Sequence, residues 1–347
     1  MLISVYGASG YQAGLVLAEL SRRETPAVLV GRDAGRLRRA ADAVGFTGAE
    51  QRIASLDDHA ALVEAFTGCD AVINCAGPFT GSGQAVVAAA IEAGCHYVDT
   101  AGEQLYVKEI FDRFAADAER AGVSVLPAAN DGCLPVDLLA HLLAEQAGPI
   151  AEITTGHLIV DGGGPSRGSL RSALATADAF VSGGLTYSGG DWASGIPARS
   201  RSITFPGQAE PTEMTKMPLV EVITIPRHVC ASHVESLGEA RLGARLGTPI
   251  APEVIETLAE GPTEKDRVAQ RFTYVVDAVR HDREAVRGVV RGTDTYGTTA
   301  VIAVEAAQRL ASSAEPGVLA PAQAVDPADF LEFLAGRELS WAIGDPQ

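Results

Sequence analysis

The sequence predicts an α/β protein: an N-terminal parallel sheet flanked by helices, a second α+β domain built on a mixed sheet, and C-terminal helices that return to the first domain. Three observations carry this. Short apolar runs alternate with helical patterns through the first 130 residues. A glycine turn, GASGYQAG at 7–14, joins the first run to the first helix. At 148–160 the texture changes, and GPIAEITTGHLIV opens a set of strands separated largely by turns. Strand–helix alternation of this length implies parallel strands with crossover helices on both faces. The expected boundaries are 1–130 for a nucleotide-binding domain, 131–297 for a substrate and dimerisation domain, and 298–347 for the returning helices.

LISVY at 2–6 suits a buried parallel strand. The helix after the glycine turn runs to about Arg22, and AVLVG gives a second strand near 27–31. A helix at 33–44, a strand near 51–54 and a helix at 57–67 follow. CDAVINCAGPF, CHYVD and GVSVLPAA supply the fourth, fifth and sixth strands, with helices over GQAVVAAAIEAG and about 104–121 between them. In the second half, DGGGPSRGSL leads through a glycine-rich turn into a helix that Ser166 or Ser169 caps. SRSITFPG and MPLVEVITIPRHV read as strands, and PEVIETLAEG as a helix. QRFTYVVDAV and REAVRGVVRG read as an antiparallel pair. TTAVIAVEAAQRLASS and DPADFLEFLAGREL close the chain as helices, the last capped by Asp326 or Asp329.

The bulk composition excludes several functions. With 347 residues, 47% of them hydrophobic and 20% charged, the chain has room for two ordinary cores. A net charge of -17 argues against a general nucleic-acid or anionic-membrane binder. No apolar run reaches the length of a membrane span, and the N-terminus enters a strand without the marks of a secretory signal. The five cysteines, Cys69, Cys75, Cys95, Cys133 and Cys230, form no C-x-x-C pair. Free thiols and a cytoplasmic location are expected.

The glycine turn carries the first functional reading. Gly7 permits the tight turn, Gly10 lets a phosphate approach the helix start, and Ala13 is small enough for close helix–strand packing. The free N–H groups and dipole of the helix favour a diphosphate there, with Ser9, Tyr11 and Gln12 beside it. Arg32 follows the second strand, where an acid would bind the ribose hydroxyls of NAD. A guanidinium instead offers planar donors to a 2′-phosphate, with Arg36 as a helper. The expected cofactor is NADP(H). Ligands in such sheets bind at the carboxyl ends of the strands. Asn74, Ala76, Gly77 and Pro78 lie at one such end and Gly102 at the next, all as candidate cofactor contacts. Asp99 and Glu103 divide between site and scaffold.

GASGYQAG, VGRD, NCAGPF, YVDTAGE and NDGCLPVDLL occur in this order over residues 7–139. Together with PGVLAPAQAVDPADFLEFLA near the end they resemble the saccharopine dehydrogenase-like NADP-binding reductases, especially the bacterial branch that includes the trans-acting enoyl reductases. The resemblance implies a Rossmann-type domain followed by an α+β domain. It assigns Gly7, Gly10, Arg32, Asn74, Gly77 and Pro78 to NADP(H). Asn130 stands where the family often has glycine, which bears on substrate and not on cofactor.

The expected chemistry is hydride transfer to a polarised C=C, C=N or C=O bond of a small or carrier-bound substrate, with a group that supplies a proton. Tyr187, in a glycine-rich loop, and Asp131, after the sixth strand, are the candidate catalytic residues. His157 and His228 are further candidate acids. No metal is expected. One alternative is a dehydrogenase or imine reductase for an amino-acid adduct. It requires converging arginines, for which Arg167, Arg171, Arg199, Arg201 and Arg227 are available. The other is a non-catalytic NADP-binding sensor or scaffold. A homodimer joined through the second sheet is also expected.

Overall fold

The computed structural model describes residues 1–46, 49–313 and 315–344. The first half comprises β1 (Ile3–Tyr6), α1 (Tyr11–Arg22), β2 (Ala27–Gly31), α2 (Ala34–Ala43), β3 (Glu50–Ile53), α3 (His59–Phe66), β4 (Ala71–Asn74), α4 (Gly83–Glu92), β5 (His96–Asp99), α5 (Gln104–Ala121), β6 (Ser124–Leu126) and α6 (Leu134–Ala147). The second half adds β7 (Ile150–Val160), α7 (Arg167–Ala175), α8 (Ala177–Ser182), β8 (Leu185–Ser188), β9 (Asp191–Ser194), β10 (Ser202–Ile203), β11 (Thr212–Lys216), α9 (Glu221–Thr224), β12 (His233–Glu239), α10 (Ala240–Leu246), α11 (Pro252–Thr257), α12 (Glu264–Ala269), β13 (Arg271–Arg280) and β14 (Ala285–Thr293). The chain closes with α13 (Thr295–Ser313), β15 (Gly317–Val318), α14 (Pro321–Ala324), α15 (Pro327–Ala335) and β16 (Ser340–Ile343).

The first sheet is wholly parallel, in the order β15-β6-β5-β4-β1-β2-β3. Its central strands β1, β2 and β4 are short and buried on both faces, as expected when helices cover both sides, while β3 forms an exposed edge. The order reverses direction between β1 and β4, so the ends of those two strands flank the crevice where such sheets take ligands. The second sheet is mixed. Its path is β10-β11-β12-β7-β13-β14-β16, with β8 on β12 and β9 on β8. β12 runs parallel to β7, and β13 and β14 form the expected antiparallel pair.

Helix α6 is the wedge between the sheets. Leu139 and Leu143 belong to one apolar cluster with Ile3 and Val5 of the first sheet and Tyr274 and Val276 of the second. The second sheet approaches so closely at Gly288 that a Cβ there would sit 2.8 Å from Leu139. Helix α13 returns to the first domain, as the sequence predicts: Arg23 of α1 reaches Glu305 at 2.6 Å, and Gln308 donates to Thr25.

Two stretches differ from the sequence reading. The β-branched run EVITI suggests a strand, but it forms α9 and a following 3-10 turn, Ile225–Arg227. Its residues are buried all round, so helical amphipathicity leaves no trace in the sequence. Tyr187 lies in β8 and not in a loop, since the glycines around it end the strand and do not dissolve it. All five cysteines are free. Among the described residues, no helix is long and apolar enough to cross a membrane.

Candidate active site

At the end of β1 the chain turns through Gly7, whose φ is +72°. A Cβ at Gly7 would lie 2.7 Å from the Cβ of Ala76, so the glycine turn leans directly on the turn after β4. Gly10 is the N-cap of α1 and brings no side-chain acceptor. The first N–H groups of α1 are therefore not occupied by a side-chain cap, the arrangement that suits a diphosphate. Gly7→Ala adds both the steric conflict and left-handed strain, and it is expected to weaken NADPH binding at least about tenfold while the second sheet persists. Calorimetry together with circular dichroism checks this.

Arg32 stands exposed just past β2, and among the described residues no ion pair occupies its guanidinium. In a chain of net charge -17 an uncommitted arginine beside the phosphate turn is notable. Burial raises the pKa of the neighbouring Tyr6 phenol, and the charge of Arg32 partly counters this. Arg36, held one turn into α2 by the Asp33 cap, points Nη2 to within 3.5 Å of the Ser9 carbonyl. Arg36 thus meets Ser9 beside the glycine turn, and Arg32 follows β2, whose Val30 carbonyl accepts from the Gly7 and Ala8 N–H groups.

The other predicted contacts divide into mouth and scaffold. Asn74 is fully buried: its Oδ1 accepts from the Ala76 N–H at 2.9 Å and its Nδ2 donates to Tyr97 Oη at 3.0 Å. Its amide shapes the turn, which leaves Ala76, Gly77 and Pro78 to present backbone at the crevice. Asp99 accepts from the Ala101 and Ala128 N–H groups and from the Tyr97 and Tyr106 hydroxyls, so it ties the end of β5 to the chain after β6 and to α5, while Tyr97 links on to Asn74 of β4. Burial raises its pKa against those four donors. Glu103 accepts from the Phe79 and Thr80 N–H groups and from Ser172 Oγ of α7. Both acids act as scaffold. Gly102 is exposed, with open space where a Cβ would be. Burial and the charge of Asp99 push the Cys75 thiol up to about 12, far from a reactive thiolate.

The second domain roofs this crevice. Ser166 caps α7 by accepting from the Ser169 N–H, and the Ser166 N–H donates to Tyr296 Oη at 2.7 Å. Tyr11 meets Tyr296 edge-on at 5.3 Å and donates to the Pro262 carbonyl. Gln12 donates to the Tyr296 carbonyl at 3.1 Å. Tyr11 and Gln12 therefore join the start of α1 to the second domain.

Past β6 lies a buried polar floor. Asp131 accepts from Tyr274 Oη at 2.5 Å and from Thr299 Oγ1 at 3.0 Å. Burial raises its pKa, opposed by these two bonds and by the charge of His157. The ring of His157 stacks on Tyr274 at 4.2 Å, as the β7–β13 register pairs the two residues. His157 Nε2 lies 2.8 Å from Glu221 Oε1, an ion pair in contact distance without the alignment of a good hydrogen bond. Thr155 Oγ1 and Ser236 Oγ donate to the same oxygen. Burial alone would raise the pKa of Glu221, but the His157 charge and these donors outweigh it and hold the carboxyl below its usual range.

The structure brings Asp131 to this floor and leaves Tyr187 apart. Tyr187 pairs with Val234, which pairs with Ile153, four residues along β7 from His157. That is about 13 Å at the usual rise of a strand. Its ring packs beside Trp192 at 5.1 Å. His228 lies elsewhere, beside His141 and Asp137. Sequence reasoning missed Tyr274 and Glu221. Their positions follow from strand register and from α9, neither of which has a local signal. Of the candidate arginines, Arg167 and Arg171 come together on α7, but over acids: Arg171 pairs with Glu256, which Arg167 also approaches while pairing with Glu260. Arg199 pairs with Glu152, and Arg227 lies over the Phe111 ring.

Comparison with known proteins agrees with this geometry. Residues 3–126 match the saccharopine dehydrogenase NADP binding domain. The chain is 32% identical over 160 residues to a trans-acting enoyl reductase of Mycobacterium ulcerans (strain Agy99), covering 45% of this chain and 38% of that protein. It is 31% identical over 154 residues to a lipid droplet localized protein of Caenorhabditis elegans, covering 42% and 36%. These matches thus span well under half the length of either relative. The whole fold is similar to apo saccharopine dehydrogenase (L-Glu forming) from Saccharomyces cerevisiae, with a TM-score of 0.60 over 99% of this chain and 100% of that one. At 12% identity that likeness concerns fold alone.

Proposed function

From the match of residues 3–126 to the saccharopine dehydrogenase NADP binding domain, we propose that the chain is an NADPH-dependent reductase of a polarised C=C bond in an enone or enoyl substrate. When bound, the cofactor supplies hydride. The chain's own residues hold and orient it. The glycine turn and the uncapped start of α1 take the diphosphate, Arg32 and Arg36 take the 2′-phosphate, and the backbone at Ala76, Gly77 and Pro78 borders the nicotinamide end.

The observation that carries the substrate class is the commitment of the second-domain arginines. Arg167, Arg171 and Arg199 each face a glutamate, so they do not form a cradle for a multiply charged amino-acid adduct. The mouth of the crevice instead presents Ala76, Gly77, Pro78 and Gly102, which favours an apolar acyl chain over a polycarboxylate. The names of the two relatives, an enoyl reductase and a lipid droplet protein, point the same way. Delivery on a carrier and a homodimer belong to the same reading.

The test is NADPH oxidation, followed at its absorbance, with a panel of enoyl thioesters, cyclic enones, imines and keto acids. Turnover of enoyl thioesters or enones is expected. Turnover of imines alone would assign the chain to adduct chemistry. NADPH binding without turnover of any acceptor would make it a sensor or scaffold.

A further inference from the structure

Resting on that reductase reading, we propose that His157 is the proton donor of the reaction and that Glu221 is its positioning residue. The argument is geometric. His157 Nε2 faces Glu221 at 2.8 Å on the inner side of β7. Glu221 is itself 1% exposed and accepts from two hydroxyls, so its charge is fixed and desolvated. A carboxylate so placed favours the protonated ring through charge and draws Nε2 toward itself. The other nitrogen, Nδ1, has no partner among the described residues and is not enclosed. It lies at the carboxyl end of β6: a Cβ on Gly132 would be 3.8 Å from it. The neighbouring Asn130 donates to the Ala101 carbonyl, which joins this spot to the open Gly102 loop. Nδ1 therefore lies past the carboxyl end of β6, on the same side of the sheet as the β1–β4 crevice and two strands from it.

The other groups around the ring are occupied. Asp131 is held by Tyr274 and Thr299, Tyr274 donates to Asp131, and Cys133 is buried. Burial, with the charges of Asp137 and Glu221, pushes the Cys133 thiol well up. Of these floor residues, His157 keeps a ring nitrogen without a partner among the described residues.

The step balances. Hydride, with its two electrons, forms the C–H bond at one carbon of the conjugated C=C, and the π pair moves to the substrate carbonyl as an enolate. The Nδ1–H bond of the imidazolium then breaks, its electrons stay on the ring, and its proton goes to the adjacent carbon. The neutral ring keeps Nε2–H toward Glu221. Water restores the proton for the next turn.

The experiment compares wild type, His157→Gln, Glu221→Gln and Tyr187→Phe with NADPH and crotonyl N-acetylcysteamine. His157→Gln is expected to lower kcat about 100- to 1000-fold with the NADPH dissociation constant within about twofold. Glu221→Gln is expected to lower kcat less and to move the alkaline limb of the kcat/KM profile to lower pH. Wild-type turnover in His157→Gln, with the loss found in Tyr187→Phe, would overturn the assignment and leave the reductase reading standing. A wild-type protein that oxidises no NADPH would overturn the reading itself. If His157→Gln fails to fold, 15N spectra of the wild type decide. Protonated Nε2 with a titrating Nδ1 supports the assignment, and the reverse tautomer refutes it.

Discussion

Arg32→Ala weakens NADPH binding about 10- to 100-fold and leaves NADH binding within about twofold. Hydrogen bonds between ionised partners contribute roughly 1.5–3 kcal/mol each, and every 1.4 kcal/mol is about tenfold in affinity. The 2′-phosphate is the only group that distinguishes the two cofactors, so only its contacts should be lost. Arg32 is exposed and supports no ion pair among the described residues, so its removal should not disturb the fold. Arg36 approaches the same side of the turn, and its bond to the Ser9 carbonyl is long and readily exchanged for a phosphate. The double variant Arg32→Ala, Arg36→Ala should therefore lose more NADPH affinity than the single one. Isothermal titration with both cofactors checks this, and equal losses for NADH and NADPH would give Arg32 a different task.

Asp99→Ala has the second large effect, and it falls on stability. The substitution removes the acceptor of two buried backbone N–H groups and two tyrosine hydroxyls; the hydroxyls lie 3.2 Å apart, so one can donate to the other and three donors are orphaned. Each orphaned buried group costs about 1–3 kcal/mol. Even at the lower end the sum, about 3 kcal/mol, is a large share of the stability of a marginal protein, about 5–15 kcal/mol. Relief from burying a carboxylate offsets part of this, since burial already raises the Asp99 pKa. The donors outnumber that single penalty, so the net loss remains. A melting temperature lower by about 10 °C is expected, with NADPH affinity falling as the ends of β4, β5 and β6 loosen. Asp99→Asn keeps one oxygen for the backbone pair and should lose clearly less. Differential scanning calorimetry of the two variants separates these outcomes.

The first domain was legible because its signals are local. The glycine turn, the strand that precedes it and the arginine after the next strand lie close together in sequence, and each carries its own steric or electrostatic reason. Asn74 shows the limit. Its place at a strand end was readable, but the Tyr97 hydroxyl that engages its amide lies 23 residues away. The second domain depends on register. His157 and Tyr274 meet because β7 pairs with β13, and a one-residue slip of β13 would send Tyr274 to the opposite face from His157. Glu221 was hidden more deeply, in a β-branched stretch that tertiary burial turns into a helix. The arginines were visible as residues, but their glutamate partners lie far along the chain, as Arg171 and Glu256 do.

The most direct measurement of the central claim uses NADPH deuterated at the nicotinamide C4, presented with an enoyl thioester, and mass spectrometry of the product. The account predicts a saturated product carrying one deuterium at the carbon β to the carbonyl. An unreduced thioester beside tightly bound, unoxidised cofactor would contradict it.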